Sequence, residues 1–434
     1  MSGRFGGGGA VFGLAAVLLA GADSTHATYS IVACDAKTRE CGVAVQTNNL
    51  AVGSSVPYAQ AGVGALVSQF ETNPHYGPRG LALLAEGTSP EATLKRLLAE
   101  DGNFDGEGPQ ARQVALVSVD GRAANYTGEE AQRAEWAGAR SGLGYSVEGN
   151  GLVGPNVLEG MEWAFLTTKG TLAERLMAAL TAGDLAGGQK TGRESAALLV
   201  KTADGWPIDI DLRVDDSSDP VGALRKLFDM QFARQEVIRA SQIARKGQLE
   251  EAKSLLIGAV ARASTWSRIW IRAARVAESV EEPTLALQYI TVAFSENSAW
   301  AQAEIGEGNF AELGASLQFH RWVSAEQEQN AVAAYERMRQ ANDAEPEKGV
   351  RVSRRLLEIG HPKEALIVLN DIPQRSEESV DLRLLRGTAY AAMGNYRDAM
   401  EQCQMALKKE PNDSRVRLRM ARLEQQGAAE KAAK

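Results

Sequence analysis

The chain has 434 residues, 44% of them hydrophobic, a net charge of −8 and three cysteines. That length holds two or three domains with ample core, and an acidic balance with no basic block argues against nucleic acid as a partner. Three cysteines are too few for a disulfide framework.

A lone Arg4 and a glycine-rich run precede the apolar stretch Ala10 to Ala20. This stretch has the length of a signal-peptide core and is too short to span a bilayer. Residues 1–27 are therefore expected to be a secretory signal, leaving a periplasmic or secreted protein with no membrane anchor after its removal. Thr25-His26-Ala27 ends in a small residue with another small residue two before it, so a cut after Ala27 would make Thr28 the first residue. A cut nearer Ala20 to Ala22 is the alternative. No cysteine follows the apolar core, as a lipoprotein anchor would require.

Up to about residue 225 the chain alternates short β-like runs with helical segments. The runs are TYSIVAC, CGVAVQT, GVGALVSQ, RQVALVSVDG, RAANYTG, SAALLVKT and PIDIDLRV, and Asp120-Gly121 and Asp204-Gly205 have the chemistry of hairpin turns. Helical spacing covers Gly77 to Glu100, with Thr88-Ser-Pro-Glu91 as an internal cap that divides it, and again Leu158 to Ala182. Strands, helices and strands again fit stacked helix and sheet layers better than parallel βαβ winding. Cys34 and Cys41 bracket a polar hairpin loop, consistent with either a disulfide or two buried thiols.

Beyond residue 225 strands vanish and helical periodicity takes over, with a 34-residue offset linking Gly360 to Gly394, Ala365 to Ala399, Ala252 to Ala286, and Ala259 to Ala293. That is the period of the tetratricopeptide repeat, in which small residues let two helices pack closely. The clearest copy runs from Leu382 to Pro411, and the register slips between about 297 and 345. Repeats are assigned to 229–425 and a disordered tail to 426–434. Such an array suits a protein partner or self-association.

The segment 28–228 lacks a phosphate-cradling loop, a dinucleotide fingerprint and His-Glu-x-x-His, and Gly53-Ser-Ser-Val-Pro57 lacks the second glycine of a nucleophile elbow. Its one histidine, His75, leaves little for a histidine-dependent triad or a histidine-rich zinc site, and no cofactor is expected. An N-terminal threonine needs no histidine, because its own α-amine, with an ordinary pKa of about 7.7 to 8.0, serves as base. Cleavage after Ala27 would put Thr28 in that role.

The stretches TYSIVACDAKTRECGVAVQT, VGSSVPYAQAGVGALVSQFETNPHYGPRGLALLAEG and SAALLVKTADGWPIDIDLRVDDSSDPVGALRKL resemble domain-of-unknown-function family 1028 over roughly 28–228. That family is grouped with the N-terminal nucleophile (Ntn) hydrolases, so the resemblance implies α+β architecture: a four-layer αββα sandwich, here followed by an all-α tetratricopeptide-like domain. Family members commonly open with Thr-aromatic-Ser-Ile-Val-Ala after an initiator Met, the place Thr28 takes here after a signal. The chain departs from the family at Glu194, where Gln is frequent, and at Cys34 and Cys41.

Candidate catalytic residues are Thr28, the loop residues Glu71, Asn73 and His75, and Asn150. The last two groups could supply oxyanion donors or serve only as turn residues. Candidate substrate-binding residues are Gln46, Tyr76, Glu194, Arg213, Asp215 and Asp216, with a structural salt-bridge network the competing reading for the last three. The expectation is an exported amidohydrolase acting on a small amide or peptide-like substrate. The alternative is a non-catalytic shell whose repeats bind protein or peptide.

Overall fold

The computed structural model describes residues 27–203, 205, 208–340, 345–372 and 379–433. The segment before Ala27 that is expected to be a signal, and Asp204 of the expected second hairpin turn, lie outside them. The chain divides into units Met1–Arg225 and Lys226–Lys434.

Among the described residues the first unit has ten strands in two antiparallel sheets. They are β1 (Thr28–Cys34), β2 (Cys41–Thr47), β3 (Pro57–Gln60), β4 (Gly64–Phe70), β5 (Arg112–Ser118), β6 (Ala123–Thr127), β7 (Trp136–Gly142), β8 (Tyr145–Leu152), β9 (Ser195–Lys201) and β10 (Ile210–Val214). One sheet has the order β10-β9-β2-β1-β8-β7, the other β3-β4-β5-β6. Their facing sides share a core of Val32, Val43, Val45, Ala65, Val67, Ala115 and Val117. Alternation decides what lies outside it: Tyr29 and Ile31 turn to the opposite side of their sheet, where helices α4 (Asn156–Thr167) and α5 (Leu172–Leu185) cover them. Gly183 allows this closeness, since a Cβ there would lie 2.9 Å from Tyr29 and Met161. Helices α1 (Tyr76–Ala85) and α2 (Pro90–Ala99) cover the other sheet through Leu66, Leu84, Leu94 and Leu97, and a short α3 (Glu129–Arg133) links β6 to β7. The order is helices, sheet, sheet, helices, the expected αββα sandwich.

Seven strands follow the β-like runs, and Gly121 makes its turn at φ 90°. The strands β3, β7 and β8 lie outside those runs. The segment Leu158–Ala182 was expected as one helix and is two. Thr171 caps the second by accepting from the Glu174 amide, while Glu174 reaches back to the Thr171 amide, a closed capping box that starts a new helix. Ser89 caps α2 as expected.

Cys34 and Cys41 pair directly in the β1/β2 register and form a disulfide. Because they are 7 residues apart, chain entropy limits the bond to about 2.5 kcal/mol. Substituting both by Ala should lower the thermal midpoint by about 5–10 °C, and calorimetry of the two proteins tests this.

The second unit is helical. Its helices are α6 (Pro220–Arg245, which begins before the division), α7 (Leu249–Arg262), α8 (Ser267–Ser279), α9 (Pro283–Glu304), α10 (Leu317–His320), α11 (Ala325–Gln340), α12 (Pro346–Glu358), α13 (Pro362–Asp371), α14 (Val380–Ala392), α15 (Tyr396–Lys409) and α16 (Ser414–Ala433). The alanines at the 34-residue offset are all at most 2% exposed. The register slip is visible where α9 loses helical backbone at Asn297 (φ −155°, ψ 82°). Helix α16 runs to Ala433, so the segment assigned to a disordered tail is helical almost to its end. No described helix is long and apolar enough to cross a membrane.

Turns between paired helices need a left-handed residue, supplied by Gly247, Gly360 and Gly394 at φ 75° to 82°. The equivalent turn after α8 instead uses Glu281 at φ 61°. Its buried carboxylate accepts from Arg419 (2.8 Å) and Arg422 of α16. Arg419 also pairs with Glu312 at 2.9 Å, and Ser414 Oγ donates to the Gly247 carbonyl.

Candidate active site

Thr28 begins β1, and its pairing partners are Thr47 on β2 and Asn150 on β8. Thr28, Ser30 and Val32 share the face turned to the second sheet, as do their neighbours Thr47, Glu148 and Asn150. The Thr28 N–H donates to Asn150 Oδ1 (3.2 Å), and Thr28 Oγ1 lies 3.0 Å from Thr47 Oγ1. Thr28 is 4% exposed.

A polar network extends from this point into the gap between the sheets. Asn150 Nδ2 donates to Gln113 Oε1, which also accepts from Gln69 Nε2, each at 2.8 Å. Gln69 Oε1 in turn accepts from Ser30 Oγ at 2.8 Å, and Gln113 Nε2 donates to the Gly149 carbonyl and Thr127 Oγ1. These amides have opposite ends fixed by different partners, so the orientation of Asn150, and hence of the acceptor facing Thr28 N, is determined.

Ala27, 1% exposed, fills a slot beside Thr28. Its carbonyl accepts from Thr47 Oγ1 (2.8 Å) and from the Asn48 amide (3.3 Å), and its N–H donates to Asn48 Oδ1 (3.0 Å). The slot thus binds one aminoacyl unit: two donors for its carbonyl oxygen and one acceptor for its α-nitrogen.

Glu148 faces the same gap, opposite Ser30, with neither carboxylate oxygen hydrogen-bonded and no exposure. Burial pushes its carboxyl well above 4.5, so the folded protein keeps this proton to higher pH than the unfolded chain does. With the native state holding the extra proton, stability falls by about 1.4 kcal/mol for each pH unit above the unfolded value, until the folded carboxyl itself ionises. Glu148→Gln should remove that slope and be the more stable protein at pH about 8. Urea unfolding at several pH values measures it, and parallel curves for the two proteins would contradict the assignment.

The structure brings only some of the sequence candidates to this place. Thr28 and Asn150 meet. Glu194 lies beside them along the chain, its amide donating to the Thr47 carbonyl. Gln46 is on β2 but on the opposite face, paired across from Tyr29, with its amide on the Thr47 carbonyl. Strand alternation thus turns this candidate substrate-binding residue to the helices, away from Thr28.

Asn73, His75 and Tyr76 belong to a second centre. The chain turns away after Phe70 (φ 64°), and Asn73 Nδ2 donates to the Asp101 carboxylate (3.1 Å), as does Tyr76 Oη (2.6 Å). Arg112, 1% exposed, binds the same carboxylate at 3.0 Å and donates to the carbonyls of Glu71, Phe104 and Glu107. Burial opposes ionisation of Asp101, but the bonds from Arg112, Tyr76 and Asn73 outweigh it and hold its pKa below the usual value. His75 is exposed and packs edge-on against Phe104. A cavity of about 700 Å³ lined by Asn73, His75, Tyr76 and Asp101 adjoins this centre and does not include Thr28. The amide of Asn73 is therefore occupied by Asp101 and is no oxyanion donor to Thr28, and the Glu71 carbonyl anchors Arg112.

Arg213, on edge strand β10, pairs with Asp211 at 2.9 Å, both exposed, which is the salt-bridge reading. Asp215 and Asp216 are exposed beyond it, and the Asp215 carbonyl accepts from the Ala51 amide. None of the three joins the Thr28 network. Residues of that network not singled out from sequence are Ser30, Thr47, Asn48, Gln69, Gln113 and Glu148. Among the described residues no group of three His, Cys, Asp or Glu is arranged to hold a metal.

The molecule is thus an αββα sandwich with a threonine-centred polar site between its sheets, joined in sequence to a helical-repeat unit. Residues 28–224 match the model of DUF1028, a family of unknown function. A crystal structure of a Silicibacter pomeroyi protein of the same family model is 31% identical, the match covering 46% of this chain and 88% of that one with a TM-score of 0.42. The chain belongs to the DUF1028 family through its N-terminal unit. Residues 380–423 match a tetratricopeptide-repeat model. The crystal structure of the tetratricopeptide-repeat domain of p58(IPK) is 12% identical, covering 44% of this chain and 64% of that one, at a TM-score of 0.17. No curated protein matches the chain.

Proposed function

We propose that the N-terminal unit is an exported amidohydrolase in which Thr28, made the first residue by removal of residues 1–27, is the nucleophile. The observation that carries this reading is the slot now filled by Ala27. It holds one aminoacyl residue by its carbonyl oxygen and its α-nitrogen, directly beside a hydroxyl and beside the nitrogen that cleavage would turn into an amine. Once vacated, it can receive the aminoacyl group of a substrate in the same way.

In this mechanism Thr28 Oγ1 attacks the substrate carbonyl carbon while its proton passes, through water, to the neutral α-amine. Asn150 Oδ1 holds that amine by accepting one of its hydrogens. Thr47 Oγ1 and the Asn48 amide donate to the oxygen as it becomes negative. The C–N bond then breaks, the leaving nitrogen takes the proton from the ammonium, and an ester on Oγ1 remains. Water attacks that ester, losing a proton to the amine, and as the C–Oγ1 bond breaks and the acid leaves, the ammonium returns that proton to Thr28 Oγ1. Because Ala27 sits in the slot at 1% exposure, the acyl group preferred is small.

N-terminal sequencing and intact mass of the exported protein provide the test, followed by hydrolysis of alanyl amides. A chain beginning at Thr28 and releasing amine is the expected result. A mature chain that retains Ala27, or one beginning at Thr28 that cleaves no amide with a small acyl group, overturns the reading and favours a non-catalytic shell.

A further inference from the structure

The helical unit contains a cavity of about 910 Å³ walled by α6, α8, α12, α14 and α16. Seven arginines line it, and their partners separate them into two sets. Arg275 pairs with Glu304, Arg415 with Asp381 and Asp413, and Arg419 with Glu281 and Glu312. Arg234, Arg245, Arg272 and Arg354 make no hydrogen bond or ion pair among the described residues, although each lines the same space.

The carboxylates of the wall form no ion pair with these four. Glu281, Glu312 and Asp381 are held by the arginines just named, and Glu307 is held by Arg355. Glu278 accepts from the Leu313 amide, and burial, with Glu312 and Glu358 close by, pushes its carboxyl well above the ordinary value against the opposing pull of that amide and of Arg354. Burial and the nearby Arg234, Arg268 and Arg275 lower the pKa of Arg272 by more than Glu304 raises it, so repulsion among these cations outweighs their relief in the free protein. Guanidinium groups without an ion-pair partner on three different helices add little to stability, since like charges brought together cost free energy. They do form a fork-shaped set of donors for carboxylates.

We infer that this cavity binds an acidic peptide segment of a partner protein, with its side-chain carboxylates on Arg234, Arg245, Arg272 and Arg354. The spread of the four over α6, α8 and α12 calls for several separated anions on one extended ligand. Ser241 and Gln242 line the cavity between them and can serve the peptide backbone. A nucleic-acid strand fits less well: the fixed carboxylates Glu281, Glu307, Glu312 and Asp381 interrupt the basic lining and would repel a continuous phosphate backbone. This inference is independent of whether Thr28 is catalytic.

The experiment is fluorescence anisotropy on the full-length protein with three labelled probes: a peptide of alternating Glu and Ala, the same peptide with Gln for Glu, and a single-stranded oligodeoxynucleotide of equal charge. The acidic peptide should bind at least about tenfold tighter than either control, and its affinity should fall when salt rises from about 50 to 300 mM. The double variant Arg234→Glu/Arg272→Glu should weaken it by at least about tenfold with an unchanged circular dichroism spectrum. Should that variant misfold, the single variants Arg234→Gln and Arg354→Gln, both at exposed positions, should each weaken binding severalfold. Equal binding of the Gln peptide, tighter binding of the oligonucleotide, or variants that bind as well as the wild-type chain would each overturn the inference.

Discussion

Thr28→Ala is expected to fold normally and to lose turnover by about four orders of magnitude or more, since removing the nucleophile eliminates the covalent route altogether. The structural cost is small. The change deletes a methyl and a hydroxyl whose bond goes to Thr47 Oγ1, and a hydrogen bond of this kind contributes about 1 kcal/mol. Thr28→Ser keeps the hydroxyl and should keep measurable activity. In both the wild-type and the Ser protein the rate should rise with pH toward a plateau above about 8, as the α-amine loses its proton. A chain engineered to retain Ala27 has an amide nitrogen in place of the amine and should be inactive at every pH. Comparing kcat/KM across these proteins, with circular dichroism as a check on folding, decides the matter; full activity in Thr28→Ala would end the proposal.

The largest effect on stability is expected at Arg112. Its guanidinium is buried with the Asp101 carboxylate, the two side chains 1% and 2% exposed, and it is the common partner of three carbonyls from the loops around β4 and β5. Arg112→Met leaves the Asp101 charge buried without its counterion and should cost about 3–5 kcal/mol, seen as a thermal midpoint about 10 °C lower or more. Asp101→Asn should be comparably damaging, because it leaves the guanidinium charge uncompensated. The double variant Arg112→Met/Asp101→Leu should recover part of the loss, since apolar replacement of a buried pair is often near neutral. The pH dependence has a definite sign. A carboxyl held below its usual value stabilises the fold above about 3.8, the unfolded value, and this contribution disappears as pH falls through the lower folded value. Relative to its own neutral stability, the wild-type protein should therefore lose more on acidification than Asp101→Asn, whose amide does not titrate.

What could be read from sequence depended on periodicity. While the αββα order came from the family resemblance, seven strands and a layered helix-and-sheet build were legible because alternating apolar runs and Asp-Gly turns are local signals. So were the repeat alanines, whose offset of 34 appears wherever two helices must touch. The pairing of Thr28 with Asn150 was not legible, since register between β1 and β8 joins residues 122 apart. A usable signal did exist: Thr28 and Ser30 in β1, and Glu148 and Asn150 in β8, are polar residues at one parity of otherwise buried strands, and such a parity marks a polar site between layers. Glycine-rich neighbours obscured β8 itself. The grouping of Asn73, His75 and Tyr76 with Thr28 failed for a different reason. A left-handed residue at Phe70 redirects the chain, and a positive φ at an aromatic residue has no sequence signature.

Repeat arrays usually behave as one-dimensional stacks, each hairpin stabilised by its neighbours, so that an end can fray while the middle persists. The Glu281 turn removes that freedom. Its carboxylate is held by Arg419, 138 residues further on, and Ser414 reaches the Gly247 carbonyl across 167 residues. Helix α16 is thereby bonded to the turns after α6 and α8, so these distant parts of the stack are tied to one another. Closing a loop of this length carries an entropy cost that grows only slowly with its size, whereas each buried ion pair acts in full. Folding of this unit is consequently a non-local event, slower to begin than that of an open helical stack and completed only when its last helix has been made.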